Sequence, residues 1–295
     1  MTRQLVFVHG RAQERLDSIA LKKEWISAWK TGLDKAGLAM PLDESDIRFP
    51  YYGDTLEQMT EGRTADEAAR IVVRGEALDR TEEAFMRAWL QEMQTKAGIS
   101  DAEVAAVVDP VVRERGVLNW GWVQGILQVL DTKVPGASGA SVALATKDVY
   151  GYLTNQAIRD TMDAGVRSAF AASAETVVVS HSLGTVVAYN VLRRDSDTHG
   201  LDVPLFVTLG SPLAVTVVKK AIRPISHPSC AKHWFNAMDE RDVVSLFPLD
   251  SDHFDVDPAI ENKTDVNNPT ENRHGISGYL GDPEVARRIH AALIA

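Results

Sequence analysis

One stretch constrains this chain more than any other: residues Glu175 to Tyr189. A β-branched apolar run, Thr176-Val177-Val178-Val179, stops abruptly at Ser180-His181-Ser182, and small, helix-prone residues begin with Leu183-Gly184-Thr185. The pattern predicts a buried strand, a sharp turn and a helix. A serine at such a turn stands above the sheet. Behind it the helix N-terminus supplies free backbone N–H groups and a partial positive charge, where a developing oxyanion is best held. The same pattern also suits an ordinary strand-to-helix connection with Ser182 as N-cap, so the rest of the chain decides between the two.

Composition narrows the field. The 295 residues, 45% apolar and 24% charged, suit one large α/β domain carrying an insertion. The net charge of −10 and the lack of a Lys/Arg cluster remove the electrostatic footprint of a nucleic-acid binder. Cys230, the single cysteine, cannot form an intrachain disulfide and has no activated surroundings in sequence. No His/Cys grouping has zinc-like spacing, and the acidic run Asp250, Asp252, Asp255, Asp257 lacks the glycine and final glutamate of a calcium loop. Neither a metal nor another cofactor is expected. Met1 to Gln4 lead directly into the short apolar run Leu5 to Val8, unlike a signal peptide. No run approaches the roughly 18 apolar residues of a membrane span. The expectation is a soluble cytoplasmic protein; nothing in the sequence reads out its oligomeric state.

In chain order, Leu5-Val6-Phe7-Val8 followed by His9-Gly10-Arg11 reads as a strand broken by a glycine turn. Ala20 to Ala36 has Leu21, Trp25, Ile26, Trp29 and Leu33 at helical spacing before Gly37. A short strand follows at Asp46 to Phe49 and ends at Pro50. Strand, helix, strand implies a parallel sheet. More than a hundred residues then separate Gly53 from Thr176. Residues 54–153 are read as a helical insertion, a cap or lid, with 1–53 and 154–295 as the core.

Within the insertion, Ala65 to Lys96 is helix-rich, with Ala84, Phe85, Ala88, Trp89 and Met93 on one face. Ser100-Asp101-Ala102-Glu103 is a capping box whose helix Pro110 must end or kink. Val117 to Leu130, the most apolar stretch, is either core or oligomer contact, or the apolar face of a lid, with Pro135 to Ser141 as a hinge. Asn155 to Ala172 is a further helix. Past the Ser182 turn, Leu201 to Leu209 is a strand ending in Gly210-Ser211-Pro212, where Ser211 reads as a turn hydroxyl. His233 to Met238 is the last strand.

The segment Ser180-His181-Ser182-Leu183-Gly184 resembles the G-x-S-x-G nucleophile elbow of α/β-hydrolases, with Ser180 in place of the first glycine. The resemblance implies an α/β-hydrolase fold: a mostly parallel central sheet flanked by helices. It implies an oxyanion hole formed by the N–H groups of Arg11, after the His9-Gly10 pair, and Leu183. A serine needs a histidine to take its proton and an acid to fix that histidine's tautomer; in this family the acid follows the nucleophile and the histidine comes last. Asp239-Glu240-Arg241-Asp242-Val243-Val244 resembles the acid loop of small lipases, which assigns the acid to Asp242, with Asp239 in reserve. His274, just before the C-terminal helix that starts near Pro283, resembles the family's histidine loop. His253, in the acidic loop, and His290, on the last helix, are its rivals. His181 reads as a packing or supporting group.

The resemblance therefore implies a serine hydrolase acting through an acyl-enzyme on a carboxylic ester or thioester, a small molecule or a lipid-like one. Peptidase and acyltransferase activities share the same machinery. The alternative from another class is a non-catalytic binding or scaffold protein that uses the helical insertion.

Overall fold

The computed structural model describes residues 3–10, 18–53, 55, 79–115, 120–133, 139–170 and 174–295. Its strands are β1 (Gln4–Val8), β2 (Ile47–Arg48), β3 (Thr176–His181), β4 (Phe206–Leu209), β5 (Trp234–Ala237) and β6 (Glu261–Lys263). They form one six-stranded, all-parallel sheet in the order β2-β1-β3-β4-β5-β6. The central strands are apolar on both faces, as a sheet covered on both sides requires. Side chains alternate between two cores: Leu5, Phe7, Val177, Val179 and Val207 face one, while Val6, Val8, Val178 and Phe206 face the other.

The first core is closed by α1 (Ser18–Ala36), α10 (Ile276–Leu280) and α11 (Pro283–Ile294), with Trp25 and Trp29 fully buried against Phe7. The second is closed by α2 (Arg80–Lys96), α3 (Asp101–Val107), α5 (Trp120–Lys133), α6 (Gly139–Thr154), α7 (Gln156–Ser168) and α8 (Leu183–His199), with α4 (Pro110–Arg115) packed on α5 and α9 (Thr216–Ala221) on α2. Helices from 80–154 thus share one continuous core with α8 and the sheet. Among the described residues no helix is long and apolar enough to cross a membrane.

Local signals explain most boundaries. Asp79 caps α2 by accepting the N–H groups of Thr81 and Glu82, and Ser100 and Glu103 form the reciprocal capping box of α3. Pro110 interrupts the helix and opens α4 at its first position, where its missing N–H costs nothing. The buried face of α2 is Met86, Trp89, Leu90 and Met93; Ala84 is exposed and Phe85 and Ala88 are half-buried, so the apolar stripe is turned from the one its alanines suggest. The strand expected over Leu201 to Leu209 is shorter, with Val203 making only an isolated bridge to Ala231. Residues 65–78 of the helix-rich segment, Val117 to Asn119 of the apolar stretch and residues 135–138 of the hinge reading lie outside the described residues.

Strand β6 has no apolar alternation and was not expected after Met238. Side-chain amides explain its pairing: Trp234 Nε1–H donates to Thr208 Oγ1 (3.0 Å), Thr208 donates to Asn236 Oδ1 (2.9 Å), and Asn236 Nδ2–H donates to Asn262 Oδ1 (2.9 Å). Asn236 is fully buried in this relay. Replacing Asn236 by Leu strands its partners, so Asn236→Leu is expected to lower unfolding free energy by about 1–3 kcal/mol in urea denaturation. An unchanged midpoint would show that the relay does not hold the sheet edge.

Candidate active site

Ser182 lies at the carboxyl end of β3, next to the carboxyl end of β1. Here the chain order reverses, since β1 leads outward to β2 and β3 leads the other way to β4. Helices α1 and α8 leave these two strands onto opposite faces. The crevice between them is where open α/β sheets hold their ligands.

The turn is strained. Ser182 has φ 54° and ψ −129°, a backbone region that costs a non-glycine residue about 1–3 kcal/mol. Surrounding bonds enforce it: Ser182 N–H donates to Leu209 O (3.1 Å), and Thr185 donates to Ser182 O from both its N–H (2.9 Å) and its hydroxyl (2.7 Å). Two close approaches require glycine. A Cβ on Gly184 would overlap the carbonyls of Val8 and His9, so only glycine lets α8 start against β1. A Cβ on Gly10 would lie 2.7 Å from Ser182 Cβ. Ser180, which stands where the elbow pattern has glycine, is fully buried and donates its hydroxyl to Val207 O (2.9 Å). The extra side chain is therefore accommodated with its polar group satisfied.

His274 precedes α10 and reaches back over the sheet. Its Nε2 lies 2.9 Å from Ser182 Oγ and its Nδ1 2.7 Å from Asp242 Oδ2. A carboxylate only accepts, so the proton sits on Nδ1 and Nε2 accepts from the serine hydroxyl. Three residues far apart in sequence thus form one chain of hydrogen bonds at the carboxyl ends of β3 and β5 and in the loop before α10. The Asp242 carboxylate has no exposure. Its Oδ2 also accepts the Tyr279 hydroxyl (2.6 Å), and its Oδ1 accepts the N–H groups of Val244 (2.8 Å) and Ser245 (3.4 Å). Burial pushes its pKa up, but the His274 charge and the bonds from His274, Tyr279 and Val244 outweigh burial and hold it below the usual carboxylate range.

The other candidates have separate partners. Asp239 accepts from Arg241, through its backbone N–H and its guanidinium, and from Asn268 N–H (2.9 Å), so it ties the acid loop to the loop that carries His274. His253 is bonded to Asp250 and stacked on Phe247. His290 is on α11. Ser211 exchanges a hydrogen bond with Thr185 Oγ1 (2.8 Å) and accepts Leu213 N–H, a turn hydroxyl as its sequence suggests. Leu183 opens α8, whose first-turn N–H groups lack intrahelical partners by geometry. Arg11 lies outside the described residues. Among the described residues no group of three His, Cys, Asp or Glu could hold a metal ion.

Four supporting residues escaped the sequence reading: Tyr279, Asn268, Gly210 and Thr185. Only Tyr279 left a trace, as the one aromatic between His274 and the C-terminal helix, five residues after the histidine. A cleft of about 200 Å³ opens between the end of α2 (Met93, Lys96, Ala97) and the acid loop at 240–243 and Leu246. No protein-family model, curated protein or solved structure matches the chain.

Two neutral histidines frame the site. His9 is packed between Phe49 and Tyr52, donates Nδ1–H to Gly10 O (2.7 Å), and is lowered to about 4 by burial against the opposing effect of that bond. His181 points to the α1 and α10 face by strand alternation and donates Nε2–H to His274 O (2.7 Å). Burial, and then the neighbouring His274 charge, lower it to about 3. Both ordinarily titrate near 6.5. The unfolded chain therefore binds more protons than the folded one below pH 6.5, and the stability these rings contribute is complete above that pH and lost as pH falls toward 4 and 3. Thermal unfolding should show a Tm that drops through this window, with a shallower drop in His181→Gln, which keeps a donor for His274 O. Parallel curves would mean that His181 titrates alike in both states.

Proposed function

We propose that this protein is a serine hydrolase of the α/β-hydrolase type, cleaving a carboxylic ester or thioester through an acyl-enzyme. The observation that carries the reading is the unbroken run from Ser182 Oγ through the His274 imidazole to Asp242, 2.9 Å and 2.7 Å long, at a strained strand-to-helix turn. A buried serine used only for packing needs no such relay.

In this reading Ser182 Oγ attacks the acyl carbon while its proton passes to His274 Nε2. The negative charge on the carbonyl oxygen faces the first turn of α8, at Leu183 N–H; the family resemblance implies Arg11 N–H, which lies outside the described residues, as the second donor of the hole. Asp242 stays ionised, holds the imidazole in the required tautomer and stabilises the imidazolium. His274 then gives the proton to the leaving oxygen or sulfur. Water repeats the sequence on the acyl-Ser182 ester and frees the acid.

On a p-nitrophenyl ester, Ser182→Ala is expected to lower kcat by about 10⁴-fold or more with folding retained; a rate within a few-fold of the wild type would remove Ser182 from the mechanism.

The cleft beside the acid loop has Met93, Ala97, Val243 and Leu246 in its wall alongside the charged Lys96, Glu240, Arg241 and Asp242, and in this reading the substrate's acyl chain lies against the apolar part. Across a p-nitrophenyl series from acetate upward, kcat/KM is expected to rise with chain length, each buried CH₂ contributing up to about 0.8 kcal/mol. A preference for acetate would contradict a lipid-like substrate.

A further inference from the structure

We infer that Tyr279 is a positioning residue of this site, whose phenol limits how much of the Asp242 charge is available to the His274 imidazole. The inference rests on the hydrolase reading above. Tyr279 is fully buried in α10. Its hydroxyl donates at 2.6 Å to Asp242 Oδ2, the same oxygen that accepts His274 Nδ1–H at 2.7 Å. On its other side the phenol oxygen accepts Asp239 N–H (3.3 Å). The hydroxyl is thereby held between β5's outgoing loop and the acid itself, with its proton directed at the carboxylate.

Space for this arrangement is built in directly after β4. Gly210, at φ 56°, a conformation that strains a side chain, would carry a Cβ 3.0 Å from the Tyr279 ring and 3.1 Å from the His274 ring, so any larger residue there would press on both rings. Burial, and then the adjacent Asp242 charge and the bond to it, raise the phenol well above its usual range, so Tyr279 remains a donor at any working pH.

Two donors on one carboxylate oxygen divide its charge. Hydrogen bonding to the ionised form makes Asp242 a weaker base and therefore a weaker partner for an imidazolium. The phenol thus keeps His274 from holding its proton too strongly, while fixing the carboxylate plane against which the imidazole is aligned.

Among the described residues, the surroundings of His274 contain few other charges that could set this balance. From the end of β3 it faces Ser182 and the neutral His181, whose ring centre is 4.7 Å away. From the turn after β4 it faces Gly210, and from the acid loop Asp242. Asp239, behind the phenol, is neutralised by Arg241. His9, which acts on His181 from β1, is neutral as well.

The test compares the wild type, Tyr279→Phe, and the protein carrying 3-fluorotyrosine at position 279, a stronger donor of nearly the same shape. Two readouts are used: the pH profile of kcat/KM on a p-nitrophenyl ester, and the titration of the His274 ring nitrogens by NMR, which needs no turnover. The acid limb and the ring titration are expected to move together to higher pH in Tyr279→Phe, by about half a unit to one unit, and to lower pH with 3-fluorotyrosine. If the phenylalanine variant does not fold, the fluorotyrosine protein still tests the sign. Unmoved titrations in a folded variant, or shifts of the same sign in both, overturn the role of Tyr279. A wild type without turnover whose His274 titration nevertheless shifts as stated would overturn the hydrolase reading and leave the Tyr279–Asp242–His274 coupling standing.

Discussion

A carboxylate shut off from water sits at the centre of this protein's candidate site, and the loops around it are arranged to keep it ionised. Transferring such a charge out of water costs several kcal/mol unless donors replace the lost hydration. Asp242 has four: an imidazole N–H, a phenol and two backbone N–H groups of its own loop. Each donor comes with a constraint. The backbone pair fixes the turn after β5, the phenol fixes α10, and the imidazole fixes the loop before α10 and, through Ser182, the turn between β3 and α8.

The two carboxylates of the acid loop divide the work. Asp239 spends its oxygens on Arg241 and on the backbone of Asn268. Asn268 in turn donates to Gly275 O and accepts from Thr270, closing the segment that presents His274. Asp242 is left free for the imidazole. At the other strand ends, the strain at Ser182 is held by Leu209 O and Thr185, and His181 bonds the carbonyl of the residue whose side chain meets its neighbour Ser182. The helices of 80–154 add a further tie, since Glu92 on α2 accepts both the N–H and the hydroxyl of Thr216 at the start of α9.

Much of this is legible in the sequence where local physics dominates. The abrupt end of a β-branched run before Ser182, the tryptophans of α1 at helical spacing, and the capping box at Ser100 each name their element without tertiary help. The grouping of Ser182, Asp242 and His274 rests instead on the resemblance of their motifs to the α/β-hydrolase pattern, because local physics alone does not single out a polar loop at a strand end. What stayed hidden depends on side chains that meet across the fold. Strand β6 is polar and pairs through an amide relay; the bonds of Asp239 to Arg241 and Asn268 cross between loops and leave no pattern in the chain; Tyr279 is one aromatic in a short helix. The turned stripe of α2 belongs to the same class, because alanines fit a buried or an exposed face equally well.

The central claim is that the strained turn presents an activated nucleophile. Treating the protein with a fluorophosphonate and mapping the adduct by peptide mass spectrometry tests it most directly, because this reagent modifies a serine only when a base has activated it. The account predicts one phosphonyl group per chain, on the peptide containing Ser182, absent from Ser182→Ala and from His274→Ala. Labelling at Ser211 or elsewhere with Ser182 untouched, or no adduct on the folded protein, would contradict it.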